Sequence, residues 1–369
     1  MAPRLQRRIS MTWTLLEAVT LAVGAQRQPA VAARRLRETG LVDAGADLRS
    51  VWDALGFDPR AFAPARDRAA ELVARCRATG DHVVGWTCAA YPPALRSLPD
   101  PPLALWVRGD PAVLSRPAVA VVGSRAARSA AVEVSTMLAT DLARCGLVVV
   151  SGLARGVDAA AHRGALATGR TAAVLGTGID IVYPGGHRAL ADAVATAGAL
   201  VSEFLPGTPP RAHHFPLRNR ILSGLVRAVV VVEASERSGS LITARLAAEQ
   251  GREVMVVPGD VRGGANRGGH ALLRDGARLV EQAADVLDEL GWHPRPLRSD
   301  AEAGEAEAGA AVPAVLEVLQ RTGGLPLDEL STRLGTAPPL LLRDLLDFEL
   351  AGRVVRDGTG RFLPAERKW

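Results

Sequence analysis

The sequence is short of aromatic residues, cysteine and long apolar runs, and each shortage excludes a class of protein. Only 4% of the 369 residues are aromatic although 48% are hydrophobic, so the core must consist of alanine, valine and leucine. Cys76, Cys88 and Cys145 are the three cysteines, and their wide spacing and odd number exclude a disulfide scaffold and indicate a reducing cytoplasm. No apolar stretch reaches the about 18 uninterrupted residues that a membrane span needs, so no membrane association is predicted.

Lysine is also nearly absent: Lys368 is the only one, and the positive charge is carried by arginine. The formal net charge of +5 favours a polyanionic partner. The beginning of the chain, basic and then apolar, imitates an export signal. Glu17 interrupts the apolar part, and Trp13, Leu16 and Val19 fall on one helical face, so we predict a helix there instead.

The chain divides by its periodicity. Helical spacing dominates residues 1–78, which predicts a small helical domain, and a Pro-rich connector over 79–115 has leucines that need burial against the next domain. Six short apolar runs then alternate with helical segments: "AVAVVG", "LVVVSG", "TAAVLG", "ALVSEF", "AVVVVEA" and "EVMVVPG". This alternation indicates the α/β class, with a doubly wound, mostly parallel sheet covered on both faces. We assign 79–295 to the connector and this sheet domain.

The last part of the chain predicts a separate small domain. Residues 296–310 are acidic and small, which is typical of a flexible linker. Residues 311–369 have helical periodicity and finish with two short strands around Asp-Gly-Thr-Gly. Three helices and a hairpin favour a winged helix. Its third helix, "PPLLLRDLLDFEL", carries three acids beside one arginine, so repulsion by phosphates makes it a poor reader of a DNA groove.

Ligands of doubly wound sheets bind at the carboxyl ends of the strands, and the loop after the first run has anion-binding chemistry. Gly123 permits a tight turn, Ser124 adds a hydroxyl beside the backbone N–H groups, and Arg125 adds a guanidinium suited to phosphate. The loop after the fifth run, "SERSGS", leads into a helix. At that helix start, N–H and hydroxyl donors come from Ser238, Gly239 and Ser240.

A second small-residue loop follows the second run and carries Arg155. We expect Asp158 to cap the helix that begins there. His162 lies four residues further on, and we interpret the Asp158/His162 pair as a structural hydrogen bond, because a catalytic pair needs a nucleophile or metal beside it.

The segment after the fourth run has no acidic residue from Leu205 to Val232. It contains the arginines Arg211, Arg218, Arg220 and Arg227. In "HHFPLRNR", the Phe-Pro pair leads the chain into a helix, and a helix start with two guanidinium groups is an anion site. We expect Arg218 and Arg220, with Asn219 between them, to project from the first turns of this helix. We expect neither guanidinium to be needed in the core. The two adjacent histidines lack a third ligand, so no metal site is predicted.

These loops, taken together, resemble the DprA/Smf family, DNA-processing protein A. The similarity runs from about Tyr91 to Gly276 and rests on "YPPAL", "VAVVGSR", "VVSGLARGVDAAAHRGAL", "SEFLPG", "HHFPLRNRILSGL" and "VVEASERSGSLITARLAAEQGREVMVVPG". The resemblance implies a helical SAM-like domain, an extended Rossmann-like domain and a winged helix. Departures are Ser129-Ala130 where the family has "YG", and His187 and His270 where it has asparagine. The Gly-rich hairpin of a DNA-binding SAM-like module is also missing, which leaves DNA contact by residues 1–78 unsupported.

The family resemblance implies a cytoplasmic bacterial protein that binds single-stranded DNA and loads the RecA recombinase during natural transformation. It implies homodimers joined through the Rossmann-like domain, and it implies no cofactor. The residues predicted to bind DNA, from the family motifs and from the loop chemistry together, are Gly123, Ser124, Arg125, Arg155, Arg211, Arg218, Asn219, Arg220, Ser238, Gly239 and Ser240.

Two other functions use the same sequence features. A nucleotide-binding or nucleotide-hydrolysing enzyme on a related fold would need a glutamate in the first turn after "SERSGS", and Thr243 or Ala244 stands there. A DNA-binding regulator would read DNA with the winged helix, whose third helix is acidic. The sequence therefore favours a protein that binds phosphates without reacting with them.

Overall fold

The computed structural model describes residues 13–41, 46–292, 318–319 and 321–334, together with some positions between 338 and 364. The chain divides into two compact units, Met1–Arg295 and Pro296–Trp369. The first contains a large sheet with helices on both faces, and the second contains a two-stranded sheet.

Nine strands form the large sheet, in the order β1-β2-β6-β5-β4-β3-β7-β8-β9. All neighbouring strands in the part of the sheet ordered β6-β5-β4-β3-β7-β8-β9 pair in parallel. The strands are β1 His82–Gly85, β2 Ala104–Gly109, β3 Ala118–Val122, β4 Val148–Ser151, β5 Thr171–Val174, β6 Ala199–Ser202, β7 Ala228–Val231, β8 Glu253–Val256 and β9 Arg278–Leu279. The six Val-rich runs form β3 to β8, so the predicted α/β class and the doubly wound parallel sheet are confirmed.

The helices cover the sheet in two layers. They are α1 Leu15–Gly24, α2 Pro29–Thr39, α3 Leu48–Ala54, α4 Phe62–Ala78, α5 Pro93–Arg96, α6 Ser129–Arg144, α7 Val157–Leu166, α8 Arg188–Ala197, α9 His214–Gly224, α10 Gly239–Glu249, α11 Arg267–Arg274 and α12 Ala283–Glu289. Val119 and Val121 of β3 pack with α6 and α7, whereas Ala120 and Val122 pack with α9 and α10. Alternate residues of the strand thus face opposite layers, as the pleat of a buried strand requires.

The Pro-rich connector contributes two strands that the sequence did not reveal. β1 pairs antiparallel with β2, and β2 pairs antiparallel with β6, so the connector extends the parallel sheet at one edge. Leu103 and Leu105 are buried there, as their apolar character predicted. An antiparallel edge on a parallel sheet is common in this fold class. Because prolines directly precede the short apolar run of β2, the sequence pattern did not predict a strand there.

The N-terminal helices share a core with the sheet. Trp52 is fully buried and meets Phe57 and Phe62 edge to face, at ring distances of 4.9 and 5.4 Å. The same apolar cluster includes Trp106 of β2 and Leu200 of β6. The helical face predicted from Trp13, Leu16 and Val19 points into this core. The interrupting acid, Glu17, closes a capping box with Thr14 at the start of α1.

The second unit has its own small core. A helix spans Leu327–Leu334, and β10 Val354–Arg356 pairs antiparallel with β11 Phe362–Pro364. This pairing confirms the hairpin predicted around Asp-Gly-Thr-Gly. The winged helix stays a prediction. The acidic linker 296–310, the first twelve residues and part of the acidic third helix, including Arg343, lie outside the described residues.

Within the residues that the structure describes, no helix combines the length and the apolar character that a membrane crossing requires. Cys76, Cys88 and Cys145 all lie in this part of the chain and carry free thiols.

The end of β2 depends on a glycine. Gly109 has a φ of +96°, and a Cβ there would lie 2.4 Å from the carbonyl oxygens of both Ala195 and Gly198. Gly146 has a similar φ of +83°, but no atom lies within 4 Å of its Cβ position. We predict that Gly109→Ala lowers the free energy of unfolding by more than about 3 kcal/mol, whereas Gly146→Ala costs about 1 kcal/mol, since only backbone strain is added. Urea denaturation of both variants measures the difference, and equal losses would contradict it.

Candidate functional site

A cleft of about 740 Å³ lies where the winding of the sheet reverses. The chain builds β4, β5 and β6 on one side of β3 and then returns to build β7 and β8 on the other side. The loops after β3 and β7 therefore separate above the sheet and leave a crevice at the carboxyl ends of the strands, which is where doubly wound folds bind ligands. We call this crevice the main cleft. It is lined by the loops after β3 and β7, by the segment that leads into α9 and by α9 itself.

The structure brings most of the predicted site residues to this cleft. Its lining includes, from the prediction, Gly123, Ser124, Arg125, Arg211, Arg218, Asn219, Ser238, Gly239 and Ser240. These residues come from three separate loops, and the convergence of parallel strands on one edge brings them together. Arg155 and Arg220 are absent from the lining.

The loop after β3 approaches its neighbours closely. A Cβ on Gly123 would lie 2.7 Å from the Val157 side chain and 2.9 Å from the Glu233 carbonyl oxygen, so only glycine fits. The Ser124 hydroxyl accepts a hydrogen bond from the Ala126 N–H, at 3.2 Å, which holds the turn. The Arg125 guanidinium is exposed and lies 5.3 Å from the centre of the Phe215 ring. The loop thus presents a charged fork beside an aromatic face.

The turn after β7 leads to a helix start as predicted. Ser238 is the N-cap of α10, and its hydroxyl bonds to that of Ser240 at 2.7 Å. Arg237, which sequence reasoning passed over, is exposed and lines the cleft. Its position inside "SERSGS", directly before the N-cap, was the available signal. The turn combines a helix start, two hydroxyls and a guanidinium, which together suit a phosphate.

Arg218 lies in the wall of the cleft and is buried, with only 4% of its surface exposed. Its guanidinium packs against Gly152, where a Cβ would lie 2.1 Å from a terminal nitrogen. Burial lowers the pKa of Arg218 to about 10, while the Asp158 carboxylate opposes that shift. Nε and one terminal nitrogen of Arg218 have no hydrogen-bond partner among the described residues. The expectation that this arginine projects from the helix and is not needed in the core is wrong.

Arg220 is also buried, and it points away from the cleft. Its guanidinium forms an ion pair with Glu203, which is itself buried, and its Nε lies 3.5 Å from a carboxylate oxygen of Asp100. The expectation that Arg220 projects with Arg218 is therefore wrong. Two residues along a helix are about 200° apart in rotation, so one side chain faces the cleft and the other faces the connector. Arg220 holds α9 against the end of β6.

Asp158 and His162 do not form the predicted pair. The N-cap of α7 is Gly156, and Asp158 lies in the first turn, where its carboxylate accepts hydrogen bonds from the N–H groups of Gly152 and Ala154. Burial raises the pKa of Asp158, and the charge of Arg218 opposes this shift. His162 is fully buried and its Nδ1 contacts the Thr171 hydroxyl at 2.7 Å. Asp158 braces the loop after β4 and His162 contacts β5, so the predicted cap and the predicted pair were wrong.

Two aromatic residues that the sequence reasoning did not assign to the site line the main cleft. The Tyr183 ring, 45% exposed, lies 5.5 Å from the ring of Phe215. Phe215 is half-buried rather than part of the core. Their signals were present as "VYP" and "HHFP", but an aromatic residue before proline is equally typical of packing. Arg155 is exposed in the loop after β4, outside the cleft lining.

The two histidines that replace family asparagines each contact a backbone carbonyl. His187 Nδ1 lies 2.9 Å from the carbonyl oxygen of Leu153, a buried residue with a φ of +60°. His270 Nε2 lies 3.1 Å from the carbonyl oxygen of Gly259. Both contacts fix loops at the carboxyl edge of the sheet, after β4 and after β8.

The Arg220–Glu203 pair predicts a large effect on stability. We expect Arg220→Met to lower the free energy of unfolding by about 3 to 5 kcal/mol, because it leaves the buried Glu203 charge without its partner. Arg220→Met combined with Glu203→Gln should recover part of this loss, since the unpaired charge is removed. Urea denaturation of the four proteins of this double-mutant cycle is the measurement. Arg125→Ala, at an exposed position, is the control and should change stability by less than about 0.5 kcal/mol. An Arg220→Met protein as stable as the parent would contradict the assignment.

His162 predicts a dependence of stability on pH. Burial, with the charges of Arg218 and His187, lowers the pKa of His162 from 6.5 to about 3. Below pH 6.5, His162 takes up a proton in the unfolded chain but stays neutral in the folded chain. The folded state therefore loses stability as the pH falls. Between pH 7.5 and pH 5 this one residue should remove about 2 kcal/mol, at about 1.4 kcal/mol for each pH unit below 6.5. We expect His162→Gln to lose correspondingly less stability over this interval. Parallel losses in the parent and the variant would show that His162 is not responsible.

Comparison with known proteins connects this cleft to a family. The family model described as DNA recombination-mediator protein A matches residues 82–291, which is more than half of the chain. Protein Smf of Escherichia coli (strain K12) is 40% identical over 280 residues, covering 73% of this chain and 74% of its own length. A putative DNA processing protein DprA of Mycobacterium tuberculosis is 43% identical over 276 residues, covering 72% of this chain and 69% of its own length.

Two solved structures have the same fold. The X-ray structure of DNA processing protein A from Streptococcus pneumoniae superposes with a TM-score of 0.67 at 36% identity, over 75% of this chain and 98% of that chain. A structure of DNA processing protein A from Helicobacter pylori superposes with a TM-score of 0.52 at 29% identity, over 57% of this chain and 95% of that chain. Sequence and fold agree, and the chain belongs to the DNA recombination-mediator protein A family.

Proposed function

We propose that this protein binds single-stranded DNA in the main cleft and acts on it as a recombination mediator, without catalysing a reaction. The charge of the cleft is the observation that carries the proposal. Among the residues that the structure describes, four arginines line it, Arg125, Arg211, Arg218 and Arg237, against a single acid, Asp158. A cleft with this excess of guanidinium groups attracts phosphates and neutralises them.

The state of Arg218 gives further support. Burying a cation whose N–H groups lack hydrogen-bond partners is costly. Asp158, whose charge acts on Arg218, already accepts two backbone hydrogen bonds. A phosphate in the cleft would supply charge compensation to Arg218 where the protein supplies little. Arg125, Arg211 and Arg237 are exposed, so they are free to follow a flexible backbone.

The aromatic pair supports a single strand over a duplex. Tyr183 and Phe215 offer faces on which an unpaired base can stack, and the Arg125 guanidinium beside Phe215 adds a second flat surface. Bases in a duplex are stacked on each other and do not present their faces. Stacking of this kind tolerates any base, so little sequence preference follows.

The same lining opposes the alternative of a nucleotide-hydrolysing enzyme. Asp158 is the one carboxylate in the lining of the main cleft within the described residues, and it braces the loop after β4. Thr243 lines the cleft at the position where a hydrolase would need glutamate. The hydroxyls of Ser124 and Ser238 bond within their own turns. A nucleophile without a base beside it is not activated.

The names of the relatives agree with this proposal. The Helicobacter pylori structure is described as giving insight into the single-stranded DNA binding mode of DNA processing protein A, and the matching family model is described as a recombination mediator. By this similarity, we extend the proposal to processing of incoming DNA during natural transformation in the cytoplasm. It includes loading of the RecA recombinase and a homodimer joined through the sheet domain. It also includes a SAM-like arrangement of the N-terminal helices and a winged helix in residues 311–369.

The proposal predicts a specific pattern of affinities. Arg125→Ala should weaken binding of single-stranded DNA by about 1 to 2 kcal/mol, the value of one charge-assisted contact. It should also reduce the slope of log affinity against log salt by about 0.7. The measurement is a fluorescence titration at several salt concentrations with single-stranded DNA, duplex DNA and a mononucleotide. Arg144→Ala, which removes an exposed charge at the end of α6, is the matched control.

We expect the parent protein to prefer the single strand over both other ligands. Tighter binding of a defined duplex, or an Arg125→Ala protein with unchanged affinity and salt slope, would overturn the proposed site. Hydrolysis of the mononucleotide would overturn the proposal that the protein is not an enzyme.

A further inference from the structure

A second cleft, of about 700 Å³, lies between the N-terminal helices and the segment that follows β6. We call it the side cleft. Its walls are the α1–α2 turn with Gln26 and Arg27, Arg68 of α4, and the loop from Leu205 to Pro209. Of the residues that the sequence predicted to bind DNA, Arg211 lines this cleft, and part of the motif "SEFLPG" forms one of its walls.

The side cleft is basic because, as in the main cleft, arginines outnumber acids among the described lining residues. Three arginines line it, Arg27, Arg68 and Arg211. Its one acid is Glu203, which is buried and already paired with Arg220. Arg27 and Arg211 make no ion pair within the described part of the chain. Arg68 pairs with Glu71 at 3.0 Å, but both side chains are more than half exposed, and an exposed pair of this kind is weak.

Arg211 joins the two clefts, because it lines both. It lies in the acid-free segment, between the loop that borders the side cleft and the helix that borders the main cleft. A strand that leaves the main cleft past Arg211 therefore meets the side cleft next. Val23, Leu103 and Phe204 form the apolar floor of the side cleft and are buried, so the exposed arginines at its walls are the groups that can contact a strand.

We propose that the side cleft binds the continuation of the strand held in the main cleft, so that Arg27 and Arg68 contact the phosphates of neighbouring nucleotides. This inference rests on the proposed function. It assigns a DNA contact to the N-terminal helices. No sequence motif predicts this contact, because the cations come from a turn and from a helix face rather than from a hairpin motif.

The test compares two lengths of single-stranded DNA. Oligonucleotides of about 6 and about 20 thymidines lie near the lower limit and above the upper limit of the roughly 4 to 16 nucleotides that one binding fold covers. Arg27→Ala combined with Arg68→Ala should weaken binding of the longer strand by a factor of roughly 30 to 900, because each of the two lost contacts contributes a factor of roughly 5 to 30. Its salt slope should fall by about 1.4, which is about 0.7 for each lost phosphate contact. Binding of the shorter strand, held in the main cleft, should not change.

Two controls keep this inference separate from the proposed function. Arg34→Ala combined with Arg35→Ala removes the same charge from exposed positions of α2 outside the side cleft and should leave both affinities unchanged. Arg125→Ala should weaken both strands. The inference is overturned if the Arg27/Arg68 variant binds the longer strand like the parent, or if it loses the same factor on both strands, while Arg125→Ala still weakens both. If Arg125→Ala has no effect, or the parent binds neither strand, the proposed function itself fails.

Discussion

The functional geometry depends on one topological constraint, the reversal of winding at β3. Helices α6, α7 and α8 cover one face while the chain builds β4, β5 and β6, and α9 and α10 cover the other face as it returns to build β7 and β8. Because crossovers between parallel strands are right-handed, the reversal forces α6 and α10 to opposite faces. The loops before these two helices separate at their starts, and the main cleft is the space that this separation leaves.

Helix α9 carries two buried arginines with different roles, one in the wall of the main cleft and one that faces the connector. Arg220 faces the connector and compensates two carboxylates, Glu203 and Asp100. Arg218 faces the cleft and is compensated only in part, by Asp158. Their burial is similar, so the difference between a structural and a binding arginine lies in the charge around each one. The segment from Leu205 to Val232 contains no acid, so no neighbour in sequence can neutralise either guanidinium, and each depends on carboxylates from other elements.

The acid-free segment also explains why two clefts share one charge character. It forms a wall of the side cleft at Leu205–Pro209, passes Arg211, and forms a wall of the main cleft at α9. Arg211, the exposed arginine that lines both clefts, makes no ion pair within the described residues. The opposite walls differ in origin, because loops of the sheet complete the main cleft and the N-terminal helices complete the side cleft. Packing of these helices into the same core as Trp106 and Leu200 places them there.

Much of this arrangement was predictable from the sequence. Six Val-rich runs separated by helical segments specify a parallel doubly wound sheet, because a strand buried on both faces has to be apolar throughout. Small residues and arginines after those runs specify anion-binding loops, because parallel strands place all such loops on one edge. Gly123, Arg125 and Ser238 reach the main cleft for these local reasons, and the family followed from the same motifs.

Only the tertiary structure decided where individual side chains point. It placed Arg218 in the cleft wall and Arg220 against Glu203, because helix rotation over two residues turns them apart and long-range carboxylates select their surroundings. It directed Asp158 to the loop after β4 instead of a helix cap, joined the Pro-rich connector to the sheet edge, and brought Arg27 and Arg68 into the same cleft as Arg211. Sequence patterns report which residues are near in the chain and on which face they lie, whereas these contacts join residues far apart in sequence through the packing of separate elements.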